Sequence, residues 1–297
     1  MSEAAPLPVG MGEVELAGVP LYRRGKVRDT FDLGDQLLMV STDRISAFDS
    51  VLPTLIPERG RVLTAMSRYW FGKTADLVPN HLRPDDEAAL PRGALAKLAG
   101  RAMFVAKAQR IDIECVVRGR LAGSGWQEYQ AAGTLASEPV PRGLAFGAEL
   151  PELRFTPATK NDHGHDENIS RVHLAQLVGS ELARRLEEFS LRIFRLAQVH
   201  CRESGFTLVD SKFEFGFVDG SLTLIDELLT PDSSRLWELE QEAGEFPHGF
   251  DKQPVRDYLL STGWDRNPPA PPLPLQLVQE TRNRYLEASR RITGSDL

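Results

Sequence analysis

Over residues 208–218 apolar and polar positions alternate with period two, with Val209, Phe213, Phe215 and Phe217 on one side and Asp210, Lys212 and Glu214 on the other. That period predicts a half-buried strand. Asp219-Gly220 is a turn signal, and residues 221–228 predict a returning strand that holds Asp226 and Glu227. Lysine and carboxylates set within apolar strands suggest a site, although a surface hairpin whose charges are only solvated gives the same pattern. Register decides whether the carboxylates meet. A two-residue loop would set Phe213 opposite Asp226 and leave Glu214 on the other face. A three-residue loop, or an equivalent bulge, brings Lys212, Glu214 and Asp226 onto one face about 5 to 8 Å apart, and this connection is the one expected. Two carboxylates that close repel unless a cation lies between them, and Mg²⁺ suits, since it takes one or two protein carboxylates and fills its octahedron with water and phosphate oxygens.

The remaining pattern mixes short strands with longer helices. Residues 21–31 and 36–40 predict strands joined by a turn at 32–35. Residues 61–72 predict a helix with Val62, Leu63, Met66, Tyr69 and Trp70 inward. Residues 85–100 read as surface, 101–109 and 111–120 as strands, and the stretch to Ala132 as a short helix. Residues 139–153 read as loop. Ser170 is a natural N-cap for a helix over 171–178. After Gly179-Ser180, helical spacing of Leu182, Leu186, Phe189, Ile193, Leu196 and Val199 predicts the main packing helix, with His200 in a structural role. A short helix over 254–260, a proline-rich spacer over 267–274 and an amphipathic helix over 275–292 close the chain.

Composition narrows the possibilities. At 297 residues with 41% hydrophobic content the chain can bury one large or two medium cores. No window is apolar enough to span a membrane, and the first residues have neither a basic nor an apolar leader region, so the cytoplasm is the expected compartment. A net charge of −7 argues against nucleic acid as a partner. Anionic ligands must instead meet local clusters. Two cysteines, Cys115 and Cys201, make no metal spacing and are expected as buried thiols.

Two local constellations suit anions, and two further stretches are open to a structural or a functional reading. Gly25-Lys26, with Arg23, Arg24 and Arg28, offers close backbone approach and positive charge, or else a basic edge strand; it is not a Walker A loop. Arg118 and Arg120 end a strand just before Gly123-Ser124-Gly125 at a helix start, either an anion site or a crossover loop with solvent-facing arginines. Asp43, Arg44 and Asp49 either anchor a loop or cap one. Residues 156–170 are too polar for core and read as a substrate loop or an acidic surface loop; His163 and His165 lack the partners of a zinc site.

Six blocks extend these fragments over most of the chain: GKVRD from Gly25, STDRISAFD from Ser41, ECVVRGRLAGSGW from Glu114, TPATKNDHGHDENIS from Thr156, DSKFEFG from Asp210 and IDELLTPDSSRLW from Ile225. In this order they resemble the SAICAR synthetase (phosphoribosylaminoimidazole-succinocarboxamide synthase) family. The resemblance implies an ATP-dependent C–N ligase of de novo purine biosynthesis. It would join the carboxylate of CAIR to the amine of L-aspartate through an acyl phosphate, giving SAICAR, ADP and phosphate. It implies an α+β fold of two lobes, a small antiparallel nucleotide lobe over residues 1–112 and a larger α/β lobe over 113–297, distantly like kinases and ATP-grasp proteins. The kinase HRD and DFG signatures are absent. By the same resemblance Glu214 and Asp226 are Mg²⁺ ligands; Lys212, Arg118 and Lys160 are catalytic; Gly25, Lys26, Lys212 and the backbone of Glu114 and Val116 hold ATP. Arg118, Ser124, Asp162, Asp166, Asp232, Ser233 and Arg235 hold the other substrates. A monomer is expected over a dimer. Two alternatives stay open: another carboxylate phosphotransferase or ligase on the same scaffold, and a non-catalytic nucleotide-binding protein.

Overall fold

The computed structural model describes residues 7–160, 167–239 and 249–297. Contacts divide the chain into one unit of Met1–Tyr69, His81–Lys107 and Phe250–Leu297 and another of Trp70–Asn80 and Ala108–Gly249. The C-terminal segment therefore groups with the N-terminal one, unlike a linear division at 112 and 113.

In the first unit the chain forms β1 (Leu21–Arg24), β2 (Arg28–Asp32), β3 (Gln36–Ser41), β4 (Arg44–Ala47), β5 (Ser50–Leu55), the start of α1 (Arg59–Lys73), α2 (Ala94–Leu98) and β6 (Ala102–Ala106). An antiparallel sheet runs β1-β2-β3-β6. The expected single strand over 21–31 is a hairpin instead, because the chain bends at Gly25-Lys26, where the Gly25 N–H donates to the Arg28 carbonyl at 2.8 Å. Phe31, Leu38, Val40 and Phe104 are buried together with Leu90, Ala94 and Leu98, so the stretch read as surface packs three side chains onto the core. Asp43 is fully buried and accepts the N–H of Met11 at 2.7 Å, the N–H of Gly60 at 2.8 Å and the Arg101 guanidinium at 2.9 Å. It is an anchor. Val62, Leu63 and Met66 of α1 are buried as expected, while Tyr69 is half-buried.

The second unit holds β7 (Gln109–Arg120), α3 (Gly123–Ala132), β8 (Thr134–Leu135), β9 (Glu138–Pro139), β10 (Glu149–Phe155), β11 (Ala158–Thr159), β12 (Glu167–Asn168), α4 (Arg171–Val178), α5 (Ser180–Glu203), β13 (Phe206–Val218), β14 (Ser221–Ile225) and β15 (Ser234–Glu238). Its main sheet runs β12-β11-β7-β13-β14, with β10 on β7 and β15 on β13. β10 occupies part of the stretch expected as loop, because its pairing with β7 satisfies a backbone that sequence periodicity does not mark. Ser170 caps α4, its hydroxyl accepting the His173 N–H at 3.1 Å.

Helix α5 packs on β13 and β7, and of the expected stripe Leu186 and Ile193 are fully buried. Ala183, Ser190 and Ala197, seven residues apart, are buried alongside Leu186, Ile193, Phe194 and Cys201. Leu182, Phe189 and Leu196 are half-buried, Phe189 stacking on Phe215 of β13 with ring centres 6.5 Å apart, and Val199 is 61% exposed. His200 meets Trp70 edge-on, ring centres 5.1 Å apart, a packing role as expected.

The chain ends in α6 (Gln253–Ser261) and α7 (Leu275–Thr293), where Val255, Leu259, Leu273 and Val278 share a core with Ile45, Leu52 and Ile56 of the first unit. Among the described residues no helix is long and apolar enough to cross a membrane.

Two predictions follow from this packing. A Cβ on Gly60 would lie 2.2 Å from the Ser41 carbonyl oxygen, a backbone atom that cannot swing aside. Gly60→Ala should cost about 3 kcal/mol in a urea unfolding experiment. Burial pushes the Cys201 thiol up to about 12 from its ordinary value of 9.0. The unfolded chain therefore releases this proton first, so the contribution is intact below pH 9 and lost as pH rises from there toward 12. Melting temperature should fall between pH 8 and pH 11, and Cys201→Ala should shrink that fall.

Candidate active site

The centre of the second unit's sheet brings two carboxylates face to face. Glu114 on β7 pairs directly with Glu214 on β13, and residues so paired share a sheet face with Cβ atoms about 5 Å apart. Both are buried, 7% and 5% exposed. Two bare carboxylates there would repel strongly. Two lysines prevent this. The Lys212 ammonium donates to Glu114 Oε1 at 2.6 Å and lies 3.9 Å from Glu214 Oε1, while Lys160, just after β11, pairs with Glu214 Oε2. Burial alone would lower the Lys212 pKa, but Glu114, Glu214, the hydrogen bond to Glu114 and Asp226 outweigh it and hold the ammonium above its ordinary value.

Asp226 joins this cluster by a route other than the one expected. Val218 pairs with Ser221, so the loop is the two residues Asp219-Gly220, at φ 49° and 76°. Two left-handed residues in succession make the hairpin turn whose twist matches the strands, and this overrides the three-residue expectation. Glu214 then faces Ile225, the last residue of β14. At Asp226 φ is +71°, which ends the alternation that would have sent its side chain away. Its charge acts on Lys212.

A second cluster lies at the other end of these strands. Asp210 on β13 pairs with Arg118 on β7 and with Arg235 on β15. Its Oδ2 accepts Arg235 Nη1 at 2.5 Å and lies 3.4 Å from Arg118 Nη1. Arg118 is 3% exposed and also donates to Thr156 Oγ1 at 3.0 Å and to Ser124 Oγ at 2.9 Å. Burial lowers its pKa, opposed by Asp210. The start of α3 fits against both guanidinium groups only because it is glycine: a Cβ on Gly123 would lie 2.4 Å from Arg235 Nη2, and one on Gly125 3.0 Å from Arg118 Nε. No side chain caps α3 at Ala122, leaving its first N–H groups beside Ser124 and the arginines. Such a helix start has the chemistry of a phosphate site.

The other expected residues are placed as follows. Val116 pairs with Lys212, and its carbonyl accepts the Thr156 N–H at 2.8 Å; Glu114 is flanked by Glu214 and Ala158. Glu114 also contributes its side chain, which accepts the Lys212 ammonium. Ser233 is 7% exposed and its hydroxyl accepts the Thr230 N–H at 3.1 Å, so it braces the turn that also includes Asp232. Gly25 and Lys26 sit in the first unit's hairpin bend, with Lys26 Nζ 2.6 Å from Asp49 Oδ1 and both side chains about half exposed. Asp162 and Asp166, with His163 and His165, lie outside the described residues. Asp210 was visible in sequence only as one polar position of an alternating strand; its pairing with two arginines comes from strand order.

Among the described residues no group of three or more His, Cys, Asp or Glu side chains could hold a metal. The half-buried Asp226 and the buried Glu214 offer carboxylate oxygens, the donor type Mg²⁺ takes alongside water and phosphate.

The family model described as SAICAR synthetase matches residues 21–271. Phosphoribosylaminoimidazole-succinocarboxamide synthase of Thermodesulfovibrio yellowstonii is 50% identical over 286 residues, covering 95% of this chain and 98% of that protein. The enzyme of the same name from Syntrophobacter fumaroxidans is 46% identical and covers 96% of each. In three dimensions the chain is similar to the SAICAR synthase of Saccharomyces cerevisiae in complex with SAICAR, with a TM-score of 0.87 and 37% identity over 97% of this chain and 99% of that one. The fold is the α+β fold of these proteins.

Asp210→Ala would leave the buried Arg118 guanidinium without its carboxylate. Breaking a buried pair from one side should cost about 3 kcal/mol in chemical denaturation, whereas a loss under about 0.5 kcal/mol, the size of a surface change, would overturn this account.

Proposed function

The chain belongs to the SAICAR synthetase family, and we propose that its paired carboxylate–lysine and arginine–helix clusters are the two halves of one ligase site. The enzyme is an ATP-dependent ligase that joins CAIR and L-aspartate to give SAICAR, ADP and phosphate in purine biosynthesis. The observation that supports the proposal most is the Glu114–Glu214 pair, held buried by Lys212 and Lys160. Buried ion pairs seldom benefit stability, so four of these charges in one sheet centre point to chemistry.

A carboxylate is a poor electrophile, which is why ATP is needed. One CAIR carboxylate oxygen attacks the γ-phosphorus, the bond from γ-phosphorus to the bridging oxygen breaks, and ADP leaves. The aspartate amine then attacks the acyl carbon, phosphate departs with the C–O electron pair, and the amine releases a proton. Lys212 and Lys160 can exchange their glutamate partners for phosphoryl and carboxylate oxygens, offsetting charge where it grows. Arg118, Ser124, Arg235 and the start of α3 hold the CAIR phosphate, in keeping with their donor geometry. Glu214 and Asp226 would hold Mg²⁺, which would supply charge neutralisation to phosphate oxygens. Asp232 and Ser233 contact CAIR from their turn, and Asp162 and Asp166 act in substrate binding. In the first unit, Gly25 and Lys26 are the ATP-phosphate contacts, Lys26 exchanging Asp49 for phosphate. We further propose a cytoplasmic monomer whose only partners are these small molecules.

Purified protein given Mg·ATP, CAIR and L-aspartate should release ADP and SAICAR together, and omission of aspartate should abolish SAICAR. ADP release without SAICAR in the complete mixture would contradict the ligase. Glu214→Gln and Asp226→Asn should each lower kcat/KM by about 100-fold, or about 3 kcal/mol, and weaken metal-dependent ATP binding in calorimetry. Undiminished binding and turnover in both variants would sink the metal assignment.

A further inference from the structure

Between Asp226 and Arg235 the chain makes a bend whose Glu227 and Thr230 have no part in the chemistry above. Asp226 and Leu229 both adopt positive φ, 71° and 51°, a conformation strained for residues with a Cβ. Such a bend persists only if its surroundings hold it. Thr230, fully buried, does much of this. Its hydroxyl donates to Glu227 Oε2 at 2.6 Å and lies within 3.2 and 3.4 Å of the Asp232 and Ser233 N–H groups, which donate to it. Its own N–H donates to Ser233 Oγ at 3.1 Å, and its carbonyl accepts the Ser234 N–H at 2.9 Å. The Ser233 carbonyl in turn accepts the Lys212 N–H at 2.8 Å, fastening the bend to β13. Glu227 is itself 9% exposed, so the Thr230 hydroxyl meets a carboxylate with little water to compete.

We infer that Thr230 and Glu227 are positioning residues that fix Asp226, at one end of the bend, and Arg235, at the other, in a single geometry, so that the carboxylate and phosphate halves of the site are built together. Neither residue touches substrate in this scheme; both act through their neighbours. The inference rests on the ligase reading of the site and adds to it a coupling between the two halves. Removing the Thr230 hydroxyl withdraws the acceptor for the Asp232 N–H and the donor to Glu227 at once, while the Ser233 N–H keeps the Thr230 carbonyl at 3.2 Å. Both halves should loosen together.

The test compares Thr230→Val, Thr230→Ser and Glu227→Ala with the parent protein. Mn²⁺ with ADP, followed by electron paramagnetic resonance, reads the carboxylate half; CAIR titrated in a calorimeter reads the phosphate half. Thr230→Val should weaken both by about tenfold or more, Glu227→Ala should act in the same direction, and Thr230→Ser, which keeps the hydroxyl, should stay within about threefold of the parent. In steady-state assays KM for CAIR should rise in Thr230→Val even when rates are scaled to folded protein, which simple loss of stability would not produce. Should Thr230→Val not fold, Glu227→Ala decides the matter alone. Unchanged binding at both halves, or a loss confined to one, in a folded variant overturns the inference. Failure of the ligase reading would show separately, as absent product in the parent.

Discussion

Like charge in a dry place is the constraint on which the second unit's design depends. Antiparallel register fixes Glu114 opposite Glu214, and in the middle strands of a sheet neither side chain can escape to water. The fold therefore has to supply cations from separate segments: Lys212 from two residues before Glu214 on β13, and Lys160 from the end of β11. This accounts for why β11, only two residues long, is paired to β7 at the level of Glu114. It also accounts for a lysine whose ammonium is held more firmly than usual although burial opposes it. Substrate oxygens entering such a cluster find lysines already aimed at negative charge, and little reorganisation is left to perform.

The arginine half inverts the same logic. Here cations are buried, and one carboxylate, Asp210, serves two guanidinium groups because it is the cross-strand partner of both. Sharing leaves the pair with net positive charge, which a bound phosphate could complete. Gly123 and Gly125 belong to this arrangement as much as the charges do, since any side chain at Gly123 would displace Arg235. Sheet register and helix start are thus fitted to each other.

Much of this was legible in sequence, and the exceptions have physical causes. The strands at 111–120 and 208–218, the turn at Asp219-Gly220, the Ser170 cap and the two terminal helices all follow from local period and capping chemistry, and the fold class and activity followed from six ordered blocks. What failed needed information from elsewhere in the chain. The buried face of α5 departs from the stripe its large apolar residues suggest because Ala183, Ser190, Phe194, Ala197 and Cys201 share it with Leu186 and Ile193. The loop after β13 is shorter than expected because Asp219 and Gly220 both adopt positive φ and close a two-residue turn, and the strand alternation ends at Asp226, which has positive φ itself. The side-chain part of Glu114 was hidden because nothing in an apolar strand announces which carboxylate will stand opposite. Asp210 was hidden for the same reason.

The grouping of Phe250–Leu297 with the N-terminal segment has a consequence for how the protein comes into being. A ribosome delivers the chain from its first residue, yet the core around Ile45, Leu52 and Ile56 stays open until Val255, Leu259, Leu273 and Val278 have emerged. The strands of the other unit, β7 to β15, leave earlier and complete their sheet within a shorter span. Synthesis thus finishes the sheet that bears the charged clusters while the first-made segment still waits for its lid, and apolar surface on β4 and β5 is the part of the newborn chain longest in need of shelter.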